Sequence, residues 1–175
     1  MAEQEKNPRL ILLQKIYVKD FSFESPNSPE VFTTKDWSPK TNLNLRSSHN
    51  PSHDDVHEVV LTIVVDAKHE DKTIFLVEVQ QAGLFQISGY SKEEFDAIVG
   101  TFCPNTLFPY AREAVASVVA RGGFPEFLLQ PINFDALFAE SKKQALAQAQ
   151  AGAERASGNG EAQSASGDGG TETDH

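Results

Sequence analysis

TFCPNTLFPYAREAVASVVARGGFPEFLLQPINF, residues 101–134, is the stretch around which the chain is organised. It reads as one helix held between two Phe-Pro-containing turns. Asn105 or Thr106 is expected to cap its start, because a short side-chain oxygen accepts from the first free backbone N–H groups. Pro109 is tolerated in a first turn, where those groups have no helical partner. Gly122 and Gly123 end the helix, since glycine takes the left-handed conformation that closes one. Leu107, Ala111, Ala114 and Val118 form a stripe at helical spacing, widened by Phe108, Val115 and Val119. The other side carries Ala116, Ser117 and Ala120 beside Arg112 and Glu113. So small a face admits another backbone, and the helix is expected to be buried twice. One side meets its own core, the other a second protein surface at Ala116 and Ala120.

Upstream of the helix the pattern is one of strands. Residues 9–24 read as one long strand with two different faces. Ile11, Leu13, Tyr17, Phe21 and Phe23 fall on one side, interrupted by Lys15 and Lys19. Leu10, Leu12, Ile16 and Val18 fall on the other, which turns polar at Asp20, Ser22 and Glu24. SPNSP at 25–29 is a turn, since its prolines bar a continuous strand. Residues 31–39 hold the only tryptophan, Trp37, in a segment without clear periodicity. A second strand is expected over 41–46, a polar loop over 47–55 and a third strand over 56–67. A charged hairpin turn at 68–72 then leads to a fourth strand over 73–81. The result is a largely antiparallel sheet of four strands.

Ser91 and Glu94 have capping-box spacing at the head of a short helix over 91–101. Asn133 is placed to cap a final helix from Phe134, alanine- and glutamine-rich beyond Lys143. From residue 152 Gly, Ser, Ala and acidic residues dominate, which predicts disorder. The expected organisation is a flexible leader over 1–8, one α+β domain over 9–151 and a disordered tail over 152–175.

A net charge of −10 over 175 residues argues against a general nucleic-acid surface. The single cysteine, Cys103, excludes an internal disulfide and fits a reducing compartment. No signal peptide is visible, and no apolar run approaches the ~20 residues of a membrane span. The chain reads as soluble, acidic and cytoplasmic.

Catalytic chemistry has little to stand on. Cys103 has no neighbouring base and reads as a small buried thiol. His53 and His57 flank two aspartates and offer a metal-dependent enzyme as a distant alternative. Asp20 and Glu24 form a carboxylate pair, more simply a solvated strand end. No phosphate loop, zinc cysteine cluster or hydrolase elbow is present, so no cofactor is expected. What stands out is an aromatic and aliphatic surplus near turns: Trp37, Phe75, Phe108, Tyr110, Phe124, Phe127 and Phe138. These fill one core, or leave an apolar groove for an extended ligand, and composition alone does not choose.

IYVKDFSFESPNSPEVF (16–32) with Trp37 after it, FLVEVQQAGLFQI (75–87), CPNTLFPYARE (103–113) and RGGFPEFLLQPINFDALF (121–138) together resemble the SecB protein-export chaperones. The resemblance covers residues 9 to 138 in family order and spacing. It implies a four-stranded antiparallel sheet with two main helices on one face, assembled as a dimer of dimers. It also implies an ATP-independent holdase, not an enzyme. Such a chaperone binds unfolded presecretory proteins, keeps them translocation-competent and delivers them to the SecA motor ATPase. By motif match the client groove holds Trp37, Leu43, Leu45, Phe75, Tyr110 and Phe138. The SecA-binding surface maps onto Asp20, Glu24, Leu76 and Glu78, and positions tied to tetramer assembly onto Val77, Val79 and Gln81. The resemblance leaves one alternative within the fold, a chaperone dedicated to a single client such as an antitoxin. Neither the 47–55 loop nor the tail matches the family pattern.

Overall fold

In the computed structural model the described residues are 8–34 and 38–158, with side chains to 152. Four strands, β1 (Leu10–Glu24), β2 (Lys40–Pro51), β3 (Val56–His69) and β4 (Lys72–Ser88), form one sheet in the order β1-β4-β3-β2. Every neighbouring pair is antiparallel. The sheet is followed by α1 (Lys92–Ala97), α2 (Cys103–Arg121) and α3 (Phe134–Gly158). The chain divides into two compact units, the second beginning at Ala136 within α3.

Register explains the core. Thr41, Ala67 and Phe75 make one row across β2, β3 and β4. Leu43, Val65, Val77 and Phe23 make the next, and Leu45, Ile63, Val79 and Phe21 the one after, both crossing to β1. This face packs with Leu107, Ala111, Val115 and Val119 of α2 into one core cluster. Burying that apolar area, at about 25 cal/mol per Å², is the main stabilising contribution. Gly83 lies under the helix. A Cβ there would sit 2.7 Å from Phe85 Cε2 and 3.0 Å from Leu107 Cδ2, so any side chain at this position would have to displace the Phe85 ring and the tip of Leu107.

Two bulges in β1, between Leu13 and Lys15 and between Val18 and Asp20, alter its expected faces. Strict alternation places Tyr17 with Phe21 and Phe23. In the structure each bulge shifts the phase by one residue, so Ile16 and Val18 join Phe21 and Phe23 on the helix-facing side. Tyr17, opposite Ala82, turns to the outer face. The buried Gln81 amide donates to the Tyr17 carbonyl at 2.9 Å, supplying a partner beside the second bulge.

β2 and β4 are longer than their sequence patterns suggest. β2 continues through residues 47–51, expected as loop, because the first half of β3 offers it a full ladder of partners. An edge strand needs no apolar alternation, so RSSHNP gives no strand signal. β4 runs on past Gln81 to Ser88, with Gly83 masking the continuity. A two-residue turn at Glu70 and Asp71, both at positive φ, closes the β3–β4 hairpin.

The helical start also differs from expectation. Ser91 caps α1 in a reciprocal box with Glu94, as its spacing predicts. From there the chain passes through a wide turn at Ile98–Phe102 directly into α2. Asn105 and Thr106 therefore cap nothing; Thr106 Oγ1 instead donates back to the Phe102 carbonyl at 2.8 Å. Pro109 lies in the helix interior and not in a first turn. Pro104, which has no N–H to offer, sits where the wide turn gives way to regular helix.

The end of α2 follows its glycines. Gly123 N–H donates to Ala120 O and Phe124 N–H to Val119 O, with Gly123 at φ +85°, the pattern of a Schellman closure. Gly122 keeps an ordinary φ, and its role is space: a Cβ there would overlap the Phe23 ring. In the second unit, α3 reaches Gly158, past the expected start of disorder at 152. Residues 159–175, the rest of the expected tail, lie outside the described residues, as do 1–7 of the leader.

Candidate functional sites on the two faces of the sheet

The helix-facing side of the sheet ends in an aromatic groove of about 360 Å³, lined by Pro39, Thr41, Phe75, Phe124, Pro125, Glu126 and Phe127. β4 supplies Phe75 as its floor, and the FPEF connector after α2 supplies the wall. Phe75 stacks within 5.2 Å of Phe124 and 6.3 Å of Phe127 and Phe23, ring centre to centre. Phe32, 52% exposed, lies 5.1 Å from Phe124 and extends the aromatic surface. Leu43, 48% exposed, and the half-buried Leu45 continue the same face of β2 beyond Thr41. Apolar burial is non-directional, so such a surface accepts many apolar side chains with little selectivity.

Of the residues expected in a client groove, the structure brings Phe75, Leu43 and Leu45 to one face. Trp37 lies outside the described residues. Tyr110, 52% exposed, is not among the groove's lining. By helical phase it belongs to the outward side of α2, with Glu113 and Ser117. Phe138 falls in the second unit, half-buried, with Lys142 Nζ 5.4 Å over its ring. Phe124 and Phe127 are the lining residues that strand patterning missed; the FPEF repeat of aromatics around a proline was their signal.

The outward side of α2 lines a wider depression of about 800 Å³ with Pro109, Arg112, Glu113, Ala116, Ser117, Ala120, Glu126 and Leu128. Arg112 Nε is buried here without a hydrogen-bond partner among the described residues. Ala116 and Ala120 thus lie on an open, small-residue face. Val77, Val79 and Gln81 do not. All three lie on the helix-facing side and are at most 3% exposed within the chain itself. Their period-two phase puts them in the subunit's own core.

The outer face gathers Asp20 and Glu24 of β1 with Leu76 and Glu78 of β4. Glu24 pairs with Leu76, Ser22 with Glu78 and Asp20 with Gln80. The four residues expected at a SecA-binding surface therefore share one face and one end of the β1–β4 ladder. Glu58 on β3 is held from β1: Lys19 Nζ reaches Oε2 at 2.7 Å, and the Tyr17 hydroxyl donates to Oε1. The Lys19 hydrogen bond, then that of Tyr17, holds the Glu58 carboxyl below its ordinary range. Burial first, and Glu58 second, push the Tyr17 hydroxyl up to about 12.

The remaining candidates for chemistry dissolve. Cys103 is fully buried, and burial pushes its thiol up to about 12, so no thiolate nucleophile forms near neutrality. His53 bonds Ser52 at 3.0 Å, whereas His57 packs edge-on against Phe95 at 4.6 Å beside His49. Among the described residues no three His, Cys, Asp or Glu side chains converge as a metal site.

A sequence profile described as preprotein translocase subunit SecB matches residues 3–145. The chain belongs to the SecB family. Protein-export protein SecB of Nitrosococcus oceani is 53% identical over 133 residues, 75% of this chain and 81% of that protein. Protein-export protein SecB of Methylococcus capsulatus is 50% identical over 151 residues, 86% of this chain and 97% of that protein. Identity of this order along most of both chains assigns the chain as a SecB protein-export chaperone. A SecB-like chaperone of Mycobacterium tuberculosis, solved with a ChAD peptide from an antitoxin, superposes with a TM-score of 0.59. It covers 70% of this chain and 91% of its own at 16% identity, which shows the shared fold. No helix among the described residues is long and apolar enough to cross a membrane.

Proposed function

We propose that the aromatic groove is where this chaperone holds unfolded presecretory chains, without ATP, and that the outer face docks SecA. The observation that carries the first part is the half-open row of Phe32, Phe127 and Leu43 leading to the buried rings of Phe124 and Phe75. Extended apolar segments bind there through many weak contacts, so chains that fold fast hide those segments before capture. Asp20, Glu24 and Glu78 on the opposite face suit a basic partner segment.

The working form is a cytoplasmic homotetramer, a dimer of dimers, with no catalytic step. Two features support an assembly. β1 is an edge strand with Leu10, Leu12, Leu13, Val18 and Phe21 exposed, and α2 shows a small-residue face around an orphaned Arg112 Nε. An open apolar edge of this length invites pairing. Isothermal titration of a permanently unfolded, reduced protein into this one, without nucleotide, tests the holdase. Saturation at about one client per tetramer is the expected result. No binding by a sample that light scattering shows to be tetrameric would remove general holdase action and leave a single dedicated client.

A further inference from the structure

Five carboxylates face outward from the sheet: Asp20 and Glu24 from β1, Glu78 from β4, Glu58 and Asp66 from β3. Three are already met by a cation. Lys19 holds Glu58 at 2.7 Å, Lys68 holds Asp66 at 2.9 Å, and Arg46 Nη2 stands 3.8 Å from Glu78 Oε1. The third differs from the others in origin and strength. Arg46 comes from β2 at the far edge and is opposite Thr62, itself opposite Gln80, so its side chain crosses β3 diagonally to reach Glu78. Strands lie about 4.8 Å apart, a span of two strands that only a long side chain bridges. Arg46 stays 68% exposed and its contact is the longest of the three. An exposed pair of this kind is weak and readily exchanged for another cation.

We infer that Arg46 is a built-in competitor for the SecA-docking face: it occupies Glu78 in the free chain and is displaced when a basic segment binds. The inference rests on the proposed docking of SecA to this face. It assigns the carboxylates two different roles. Asp20 and Glu24, without an ion pair among the described residues, attract the partner from the start. Glu78 becomes available only as Arg46 leaves, so Arg46 sets both the affinity and its salt dependence.

Purified SecA is titrated against the full-length chaperone as wild type, Arg46→Gln, Glu78→Gln, the Arg46→Gln/Glu78→Gln double variant, Lys40→Gln and Asp20→Lys/Glu24→Lys. Removing the competitor is expected to tighten SecA binding about two- to fivefold at low salt, with the gain fading as salt rises. Lys40→Gln makes the same charge change on the same face without an ion pair among the described residues, and is expected to change affinity by less than half that gain. In the Glu78→Gln background the Arg46 gain should disappear, because nothing is left to compete for. Unchanged or weaker binding by Arg46→Gln, while Asp20→Lys/Glu24→Lys still loses SecA, would overturn the competitor and keep the docking face. An equal gain with and without Glu78 would also overturn it, reducing Arg46 to a general charge effect. If Asp20→Lys/Glu24→Lys binds like wild type, the docking face itself is wrong and the competitor falls with it.

Discussion

The two faces of this sheet are made by the same four strands and share almost nothing else. The covered face is a set of apolar rows closed by α2 and opened at one end into an aromatic groove. The outer face sets carboxylates, cations and amides, joined by ion pairs, around the apolar side chains of Val60, Val64, Leu76 and Ala82. Because successive side chains alternate, one residue step along β4 passes from Val77 in the core to Glu78 on the outer face. Under the proposed function, an apolar client and the SecA motor would then be held on opposite sides of one backbone layer. Substitutions on one face should leave the other face's ligand alone, and that separation can be attacked directly.

The largest effect belongs to the covered face. Phe85 is fully buried beside Gly83 and below Leu107. Phe85→Ala is expected to cost about 3–5 kcal/mol, read from urea unfolding at fixed protomer concentration. Ser22→Ala on the outer face should fall within about 0.5 kcal/mol of wild type. Equal costs at the two positions would mean that the outer face is also core, in contradiction of the register.

Next comes the groove. A charged residue at Phe75 confounds binding with folding, since that ring is 3% exposed and forms part of the core. Phe127 is half-buried on the wall and is the better probe. Phe127→Ser should weaken unfolded-protein binding roughly tenfold, the loss expected of an aromatic anchor, with SecA affinity unchanged. Undiminished client binding by a folded Phe127→Ser variant would take the FPEF connector out of the site.

Charge reversal gives a smaller change on the other side. Asp20→Lys with Glu24→Lys should cut SecA affinity several-fold at low salt and leave client affinity intact. A parallel loss of client binding would show that the two faces are coupled through the sheet.

These positions also show what a sequence discloses. Leu107, Ala111 and Val115 announce a helix by spacing, and parity pairs Asp20 with Glu24 and Leu76 with Glu78, because both periods are local properties of the backbone; that the two pairs share one surface was implied only by the family resemblance. Tyr17 was not legible, since a bulge leaves no mark in composition and yet flips every residue up to the next. Nor was the strand character of residues 47–51, where pairing with β3 overrides a polar composition. Phe127 was visible as an aromatic but not as a groove wall. Its position depends on how the connector returns across Phe75, a long-range contact with no period to betray it.

The smallest expected effect tests a place where the covered face is imperfectly apolar. His57, on the helix-facing side of β3, has Phe95 of α1 at 4.6 Å and His49 of β2 at 6.1 Å, ring centre to centre. Its Nδ1 is buried without a partner among the described residues. Asp55 lies in the loop before it, and Lys92 of α1 borders the same depression but pairs with Asp96 at 2.9 Å. Burial, then repulsion from His49, lower the His57 pKa from 6.5, with Asp55 opposing more weakly. The fold therefore binds this proton less readily than the unfolded chain does. Its contribution is fully present above pH 6.5 and is lost as pH falls through that value toward the lower folded pKa. Wild type should lose thermal stability between about pH 7 and 5.5 more steeply than His57→Phe, whose ring has no proton to gain and can keep the contact with Phe95. The two proteins differ only at this ring, so the difference between the two stability curves reports on His57 and its contacts with Phe95 and His49. Superimposable slopes would mean that α1 yields around the imidazolium, and that the covered face is closed less tightly at its α1 end than under α2.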